Sequence, residues 1–180
     1  MLRIIFLIIF LITGILFTIS YSFLPLITFT DKVSNNNISS TIYINKLETD
    51  NKNTGKTNTT NYSDLNINST YKSILQYLYY GCIISSCLIG GGIILSYLRM
   101  KFFSKILFIL VKIFMTTFVG IILFIYYSSS FLENLISSSL PYLPQGSSHN
   151  IKSSFGNGGI LIIISYIIMV VNYIIYSFIG

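Results

Sequence analysis

The sequence predicts an all-α membrane protein, a four-transmembrane-helix bundle with or without a small β element in its outer loops. Composition is the first observation: the 180 residues are 53% hydrophobic and 9% charged, whereas a soluble domain carries about 25% charged residues. The second is a set of four apolar stretches, each reaching the about 20 residues that a helix needs to cross a bilayer. Residues 1–180 are therefore interpreted as a single membrane domain.

The apolar stretches and the polar segments between them define the predicted order of the chain. The spans cover residues 4–26, 74–98, 106–127 and 158–179, and the loops cover residues 29–73, 99–105 and 129–157. Many span residues are β-branched, which lowers helix propensity in water. In lipid, however, an unpaired backbone group is far more costly, so helices remain the prediction.

The first span has an alternative interpretation as a cleaved secretory signal, because Arg3 precedes its apolar run. The run is longer than the about 7 to 15 apolar residues of such signals. Tyr21 also interrupts the small-residue sequence that a cleavage site would need. We therefore predict a retained membrane anchor, and either interpretation gives the other spans the same orientation.

Cations determine the predicted orientation. The connection between the second and third spans carries Arg99, Lys101 and Lys105 and no acidic residue. Because short cationic connections stay in the cytoplasm, this connection and both termini are predicted to be cytoplasmic, with the plasma membrane as the location. The same three side chains are expected to contact lipid headgroups, at about 1 kcal/mol per cation. Lys112, inside the third span, is expected to extend toward the same side.

Small residues recur along the second span, which contains the stretch "GCIISSCLIGGG", and predict close helix packing. Small residues four apart let a neighbouring backbone approach closely. The predicted packing positions are Gly81, Ser85, Ser86, Gly90 and Gly91 in this span, with Gly14 and Gly120 as contacts in the first and third spans. A hinge or a gap that lines a ligand site is the alternative. The triple glycine is not predicted to bind phosphate, because no Lys-Ser/Thr pair follows it.

The sequence predicts no catalytic, cofactor-binding or metal-binding set. Cys82 and Cys87 are about 140° apart around a helix, so they face different sides, and a structural zinc needs about four ligands. Glu133 and His149 have no partner at a fixed helical spacing. The net charge of +6 is compatible with a nucleic-acid partner, but the cations are scattered through loops or flank apolar runs. Neither an enzyme nor a nucleic-acid-binding protein is predicted.

The first outer loop is rich in Asn, Ser and Thr and carries weak structural signals. Ile42, Ile44 and Leu47 predict one short strand, and most of the remaining sequence is interpreted as low-complexity coil. The loop also contains Asn-x-Ser/Thr acceptors, which are candidate N-glycosylation sites on an outer segment. They are Asn37, Asn58, Asn61 and Asn68, a number close to chance for this composition.

The second outer loop mixes Ser with Leu and Pro. A cluster of apolar residues predicts a short interfacial helix there, followed by a turn broken by proline. The cluster consists of Phe131, Leu132, Leu135 and Ile136, and the prolines are Pro141 and Pro144.

Three stretches have a further likeness. "TIYINKLETDN" (41–51) is an extended apolar segment followed by an acidic-Thr-acidic sequence, "TYKSILQYLYYGC" (70–82) is a Tyr-rich approach to a cysteine, and "IKSSFGNGG" (151–159) starts the fourth span. Together with the span order, they resemble claudin-like tetraspan proteins, and more narrowly the fungal branch of PalI-type and eisosome-associated proteins. The resemblance implies a tetraspan fold. This chain lacks that family's outer-loop Trp and the cysteine pair of claudins, so no functional residue carries over.

These features predict a non-enzymatic tetraspan protein that organises membrane or protein assemblies through lateral helix packing and outer-loop contacts. The predicted partners are the lipid bilayer and other membrane proteins or further copies of the chain. The alternative is a small subunit of a channel, a transporter or a larger membrane complex. An intramembrane enzyme is the third reading, and the spans contain no polar set to support it.

Overall fold

The computed structural model describes residues 2–33, 36–52, 54–139 and 151–179. In these ranges the chain forms five helices and five strands. The helices are α1 (Leu2–Phe23), α2 (Ser69–Tyr97), α3 (Lys101–Tyr127), α4 (Ser129–Ser139) and α5 (Asn157–Ile179). The strands are β1 (Ile27–Val33), β2 (Asn36–Ile42), β3 (Lys46–Asn51), β4 (Lys56–Asn61) and β5 (Ile151–Phe155). The predominantly helical prediction is confirmed, and the β element that the sequence left open is a five-stranded sheet.

Four of the helices are long and apolar enough to cross a membrane, as the four apolar stretches predict. The qualifying segments are Ile4–Phe23, Ser69–Tyr97, Phe102–Tyr127 and Asn157–Phe178. Each helix runs opposite to the previous long one, so the described sheet lies at one end of the bundle and the α2–α3 turn at the other. We refer to these as the sheet end and the turn end.

Three helix ends differ from the predicted bounds by three residues or more. α1 ends at Phe23 rather than at residue 26, because a proline at position 25 disfavours helical geometry for the residue before it. α2 begins at Ser69 rather than at residue 74, because the Asn68 side chain accepts a hydrogen bond from the Thr70 N–H at 3.0 Å and caps the helix. α3 begins at Lys101, so the predicted inner loop 99–105 shrinks to residues 98–100.

Each long helix packs mainly against two others. α1 contacts α2 and α5, and α3 also contacts α2 and α5. Near the turn end, the rings of Phe10 and Phe108 stack with centroids 4.3 Å apart, and Tyr176 meets both rings edge-on. Aromatic pairs in these geometries contribute about 0.5–1.5 kcal/mol beyond the area they bury.

The sheet is antiparallel throughout, in the order β4-β3-β2-β1-β5. The prediction of one short strand is wrong: Ile42 ends β2, Leu47 lies opposite it in β3, and Ile44 is in the connection between them. The coil prediction for most of this loop is also wrong. In β2 the side chains of Ile38, Ser40 and Ile42 alternate toward the buried face, and a serine in that series hides the apolar period of a strand.

Glycines join the sheet to the bundle. Gly156 N–H donates to the Leu26 carbonyl at 3.0 Å, and Gly158 N–H donates to the Pro25 carbonyl at 2.9 Å. A Cβ at Gly156, Gly158 or Gly159 would overlap the backbone oxygens of this same α1–β1 connection. Only glycine allows the two backbones to approach so closely. As a result β5 pairs with β1 while α5 packs on α1.

The short helix predicted in the second outer loop is confirmed as α4. Its four predicted apolar side chains, from Phe131 to Ile136, are all buried. The Phe131 ring contacts Tyr71 of α2 and Phe124 of α3. The proline turn at Pro141 and Pro144, like His149, lies outside the described residues.

The glycine junction gives a first prediction. We expect Gly156→Ala to lower the unfolding free energy by about 2–3 kcal/mol, because the new methyl group would overlap a carbonyl oxygen that cannot move without breaking a backbone hydrogen bond. The measurement is thermal unfolding of the purified protein in detergent. Gly120→Ala is the control, since a Cβ there meets no atom within 4 Å. Equal unfolding midpoints for the two variants would contradict the prediction.

Tyr62 gives a prediction about pH. Its buried hydroxyl donates to the Tyr43 carbonyl, and burial raises the pKa of Tyr62 above its ordinary value of 10.0. The folded state therefore holds this proton more tightly than the unfolded state, so its contribution to stability is complete below pH 10 and is lost as the pH rises further. We expect Tyr62→Phe to cost about 1 kcal/mol at neutral pH but to flatten the alkaline fall in the unfolding midpoint. Parallel pH curves for the two proteins would refute this.

Candidate functional site

The close contact between α1 and α2 involves one of the predicted packing glycines. A Cβ at Gly14 would lie 2.8 Å from Cγ2 of Ile89. Ile89 is buried, and its β-branched side chain has little rotamer freedom in a helix. Gly14 is therefore needed for this approach, as the prediction of a contact between the first and second spans requires.

A group of hydroxyls lies beside this contact. Ser86 Oγ is 3.1 Å from Thr18 Oγ1 and 3.1 Å from the Tyr21 hydroxyl, and Thr18 also donates to the Gly14 carbonyl at 2.8 Å. Ser86 thus links α1 to α2 through side-chain hydrogen bonds. The neighbouring Ser85 is buried in the core, and its Oγ has no hydrogen-bond partner among the described residues.

The remaining predicted glycines divide into two kinds. A Cβ at Gly91 would lie 3.3 Å from Leu107 of α3, whereas a Cβ at Gly81, Gly90 or Gly120 would meet nothing within 4 Å. For these last three, packing against a helix stays a prediction that would need another molecule. Gly92, which sequence reasoning did not select, is the tightest of the triple glycine, with a Cβ position 2.8 Å from the Phe108 ring.

An apolar groove runs along the outside of α1 and α2. Two cavities of about 250 and 460 Å³ form it, and they share Leu11 and Ile93 as lining residues. The floor includes Gly14, Ile89 and Gly90. Toward the turn end, the walls are completed by Ile4, Leu7, Ile8, Ile94, Tyr97 and Leu98. We call this feature the α1–α2 groove.

The cationic turn lies directly beyond the groove. Arg99 has a backbone φ of 61°, a left-handed conformation that helix C-termini normally reserve for glycine. The Arg99 and Met100 N–H groups donate to the carbonyls of Ser96 and Leu95, closing the end of α2. Lys101 and Lys105 fall in the first turns of α3, where the positive end of the helix dipole disfavours cations. Two unfavourable features thus coincide in this turn.

Charge is distributed unevenly between the two ends. All five acidic residues belong to the sheet, the segment after β4 or α4: Asp31, Glu48, Asp50, Asp64 and Glu133. Lysines accompany them there, and Lys46 Nζ is 2.6 Å from Glu48 Oε1. The turn end carries Arg3, Arg99, Lys101 and Lys105 without any acid. The excess positive charge of the chain is therefore concentrated at the turn end.

Two polar side chains in the helices have partners that the sequence did not reveal. Lys112 is exposed on α3, and its Nζ is 5.9 Å from the centre of the Tyr173 ring on α5. Asn172 of α5 is buried, and its amide donates to the Phe6 carbonyl at 3.1 Å; Oδ1 of Asn172 has no partner among the described residues. A polar residue inside an apolar span was the available signal for Asn172.

The candidate glycosylation sites lie at the sheet end. Asn58 and Asn61 belong to β4, and both are exposed. Asn68 is exposed as well and caps α2. Asn37 lies in β2. Whether any of them carries a glycan stays a prediction.

The cysteines face different environments, as their spacing predicts: Cys82 is buried and Cys87 is exposed. Across residues 2–33, 36–52, 54–139 and 151–179, no three His, Cys, Asp or Glu side chains come together as metal ligands would.

The groove glycines generate a prediction. We expect Gly14→Ala to lower the unfolding free energy by about 1–3 kcal/mol, because its methyl group would press on the stiff Ile89 side chain. Gly90→Ala, one of the open positions, should be neutral or stabilise the helix by up to about 1 kcal/mol. Thermal unfolding of both variants in the same detergent measures the difference. Equal unfolding free energies for the two variants would contradict a specific role for the Gly14–Ile89 contact.

The geometry thus offers an apolar groove, a cationic turn beside it and a polar sheet at the opposite end. No protein-family model matches this chain, and no curated protein matches it either.

Proposed function

We propose that this chain is a non-enzymatic, multi-pass integral membrane protein that organises lipids and other membrane proteins. Its four long helices span the plasma membrane, the turn end and both termini are cytoplasmic, and the sheet lies outside. The proposed kinship with claudin-like tetraspan proteins rests on the fragments quoted above and on the alternation of long helices with loop-borne strands.

The exposed apolar surface is the observation that carries the proposal. On α1, the side chains of Ile4, Ile12 and Ile15 are each more than half exposed, and Phe102 and Ile113 on α3 are similar. Soluble monomers rarely expose continuous apolar patches of this kind. In water, these side chains would be exposed at a cost in free energy. Acyl chains would cover them without that cost, because lipid is as apolar as the side chains themselves.

The charge distribution supports the orientation. The turn end has four cations and no acid in its sequence, and cationic connections are retained in the cytoplasm. The cations would also lie among anionic headgroups of the inner leaflet, each contributing about 1 kcal/mol. At the sheet end, acids and lysines are mixed, as suits an exposed outer surface.

Two surfaces are proposed for protein partners. The first is a cavity of about 300 Å³ between α2 and α3, lined by Gly81, Phe114 and Thr117 among others. Since a Cβ at Gly81 meets nothing in this chain, a partner helix can approach there closely. The second is β4, the last strand of the sheet, which is largely exposed. An edge strand presents backbone groups to which another strand can pair.

The alternative, a small subunit of a channel, a transporter or a larger complex, draws on Lys112. A charge inside an apolar helix is often functional, and Lys112 Nζ lies 5.9 Å from the centre of the Tyr173 ring. Selective conductance through the purified, reconstituted chain would favour this alternative over an organising role.

Cysteine labelling tests the orientation. Cys82 and Cys87 are first replaced by serine. A single cysteine is then added as Lys56→Cys or as Arg99→Cys, because residues 56 and 99 are both exposed. We expect a membrane-impermeant maleimide to label the first variant on intact cells and the second only after permeabilisation. Labelling of the Arg99→Cys variant on intact cells, or release of the chain by alkaline carbonate, would reject the proposal.

Affinity purification in mild detergent tests lateral assembly. We expect other membrane proteins or further copies to co-purify, and Gly81→Leu to reduce their yield several-fold by filling the α2–α3 cavity. Val171→Phe is the control, since Val171 is half exposed on α5 and lies away from that cavity. Recovery of a lone monomer from the wild-type chain would contradict the organising role.

A further inference from the structure

We propose that the α1–α2 groove binds one acyl chain of an anionic phospholipid, whose phosphate lies against Arg99 at the turn end. This inference rests on the proposed membrane location and identifies one of the partners that the proposed function leaves general. It concerns a surface different from the Gly81 cavity and from β4.

The dimensions of the groove fit one leaflet. On α2 it extends from Ser86 to Leu98, and twelve residues of helix rise about 18 Å. Half of a hydrocarbon core is about 15 Å thick. The groove begins at the turn end, where Ile4 and Leu98 line it. An acyl chain from the leaflet at that end would therefore run along its length.

The width of the groove favours an acyl chain over a helix. α1 and α2 touch at Gly14 and Ile89 beneath it, and packed helices have axes only about 8–10 Å apart. A further helix is about 10–12 Å across with its side chains, so it is wider than a single acyl chain and fits the groove less closely. Methylene groups are narrow enough to reach Gly90, whose α-carbon faces open space.

Charge complementarity identifies the headgroup. Arg99 follows Leu98, the groove residue directly after α2, and Arg3 precedes Ile4, the first groove residue of α1. No acidic residue belongs to this end of the chain. A guanidinium also pairs with phosphate through two parallel hydrogen bonds. A zwitterionic lipid also carries a phosphate, but its ammonium group would be repelled by the cations of this end, so a lipid with net negative charge is preferred.

The backbone at Arg99 points in the same direction. Arginine is held in a left-handed conformation that glycine would adopt without strain. Lys101 and Lys105 stand at a helix N-terminus, where the dipole disfavours them. A bound phosphate would offset both costs, because it would place a negative charge beside Arg99 and the N-terminus of α3.

Native mass spectrometry of the full-length protein in detergent tests the proposal. The protein is titrated with phosphatidylglycerol or with phosphatidylcholine of identical acyl chains, and bound lipids are counted. We expect phosphatidylglycerol to bind at least about fivefold more tightly, the fold-change expected for one cation. Equal affinity for the two lipids would overturn the proposal, as would equally strong binding of the soluble headgroup, glycerol phosphate.

Two pairs of variants locate the site. Arg99→Gly should weaken phosphatidylglycerol binding about fivefold and change phosphatidylcholine binding less than about twofold, without lowering the unfolding midpoint, because glycine suits the left-handed turn. Gly90→Leu should weaken the binding of both lipids about fivefold or more, because the new side chain would fill the groove. Gly120→Leu is the control: this position is equally open but lies outside the groove, so the affinity for neither lipid should change. If Gly90→Leu fails to fold, Ile94→Ala replaces it, at a groove wall residue that is 60% exposed.

Wild-type binding by Gly90→Leu or Ile94→Ala would overturn the groove as the site. A second result would also overturn the groove as a lipid site: wild-type spectra that show oligomers or bound partner chains, and Gly90→Leu spectra that lack them. A helix rather than a lipid would then occupy the groove. These outcomes are separable from failure of the proposed function. A chain that resists carbonate and co-purifies with partners, yet shows no lipid preference, refutes only the present inference.

Discussion

The contact between the backbones at Gly156–Gly159 and Pro25–Leu26 is the constraint on which the two halves of the structure depend. α1 and α5 lie side by side in the bundle, and β1 and β5 lie side by side in the sheet, so both pairs must converge at this single junction. Two backbone hydrogen bonds close it. A Cβ at Gly156, Gly158 or Gly159 would overlap backbone oxygens of the opposite segment and force the two backbones apart.

The rest of the molecule follows from having two chemically different ends. The sheet end carries all the acids and about as many lysines, and its hairpins expose Thr and Asn. At the turn end, only three residues connect α2 and α3, and the charged residues there are all cationic. Between them, apolar side chains face outward on the long helices. A bilayer with anionic inner headgroups is the environment that we propose for these three zones.

Small residues act differently according to their neighbours. Gly14 and Gly92 let Ile89 and Phe108 approach closely, so they belong to the packing of the chain itself. Gly81 and Gly90 face open space in two separate depressions, one beside α3 and one beside α1. We assign the first to a protein partner and the second to a lipid, because only the second continues to the cationic turn. The same residue type therefore packs against its own chain at some positions and faces open space at others.

Composition and apolar length determined the number of long helices and their order, because about 20 predominantly apolar residues leave few alternatives to a helix. The short helix α4 was also predictable, since its four apolar residues share one face. The sheet was not, because residues such as Ser40 and Thr49 occupy buried positions where a strand pattern requires apolar ones. Nor could the sequence distinguish Gly14 from Gly90, or show that Arg99 adopts a left-handed conformation beside a groove. Those properties depend on which helix lies opposite each residue, and that arrangement exists only after the chain has folded.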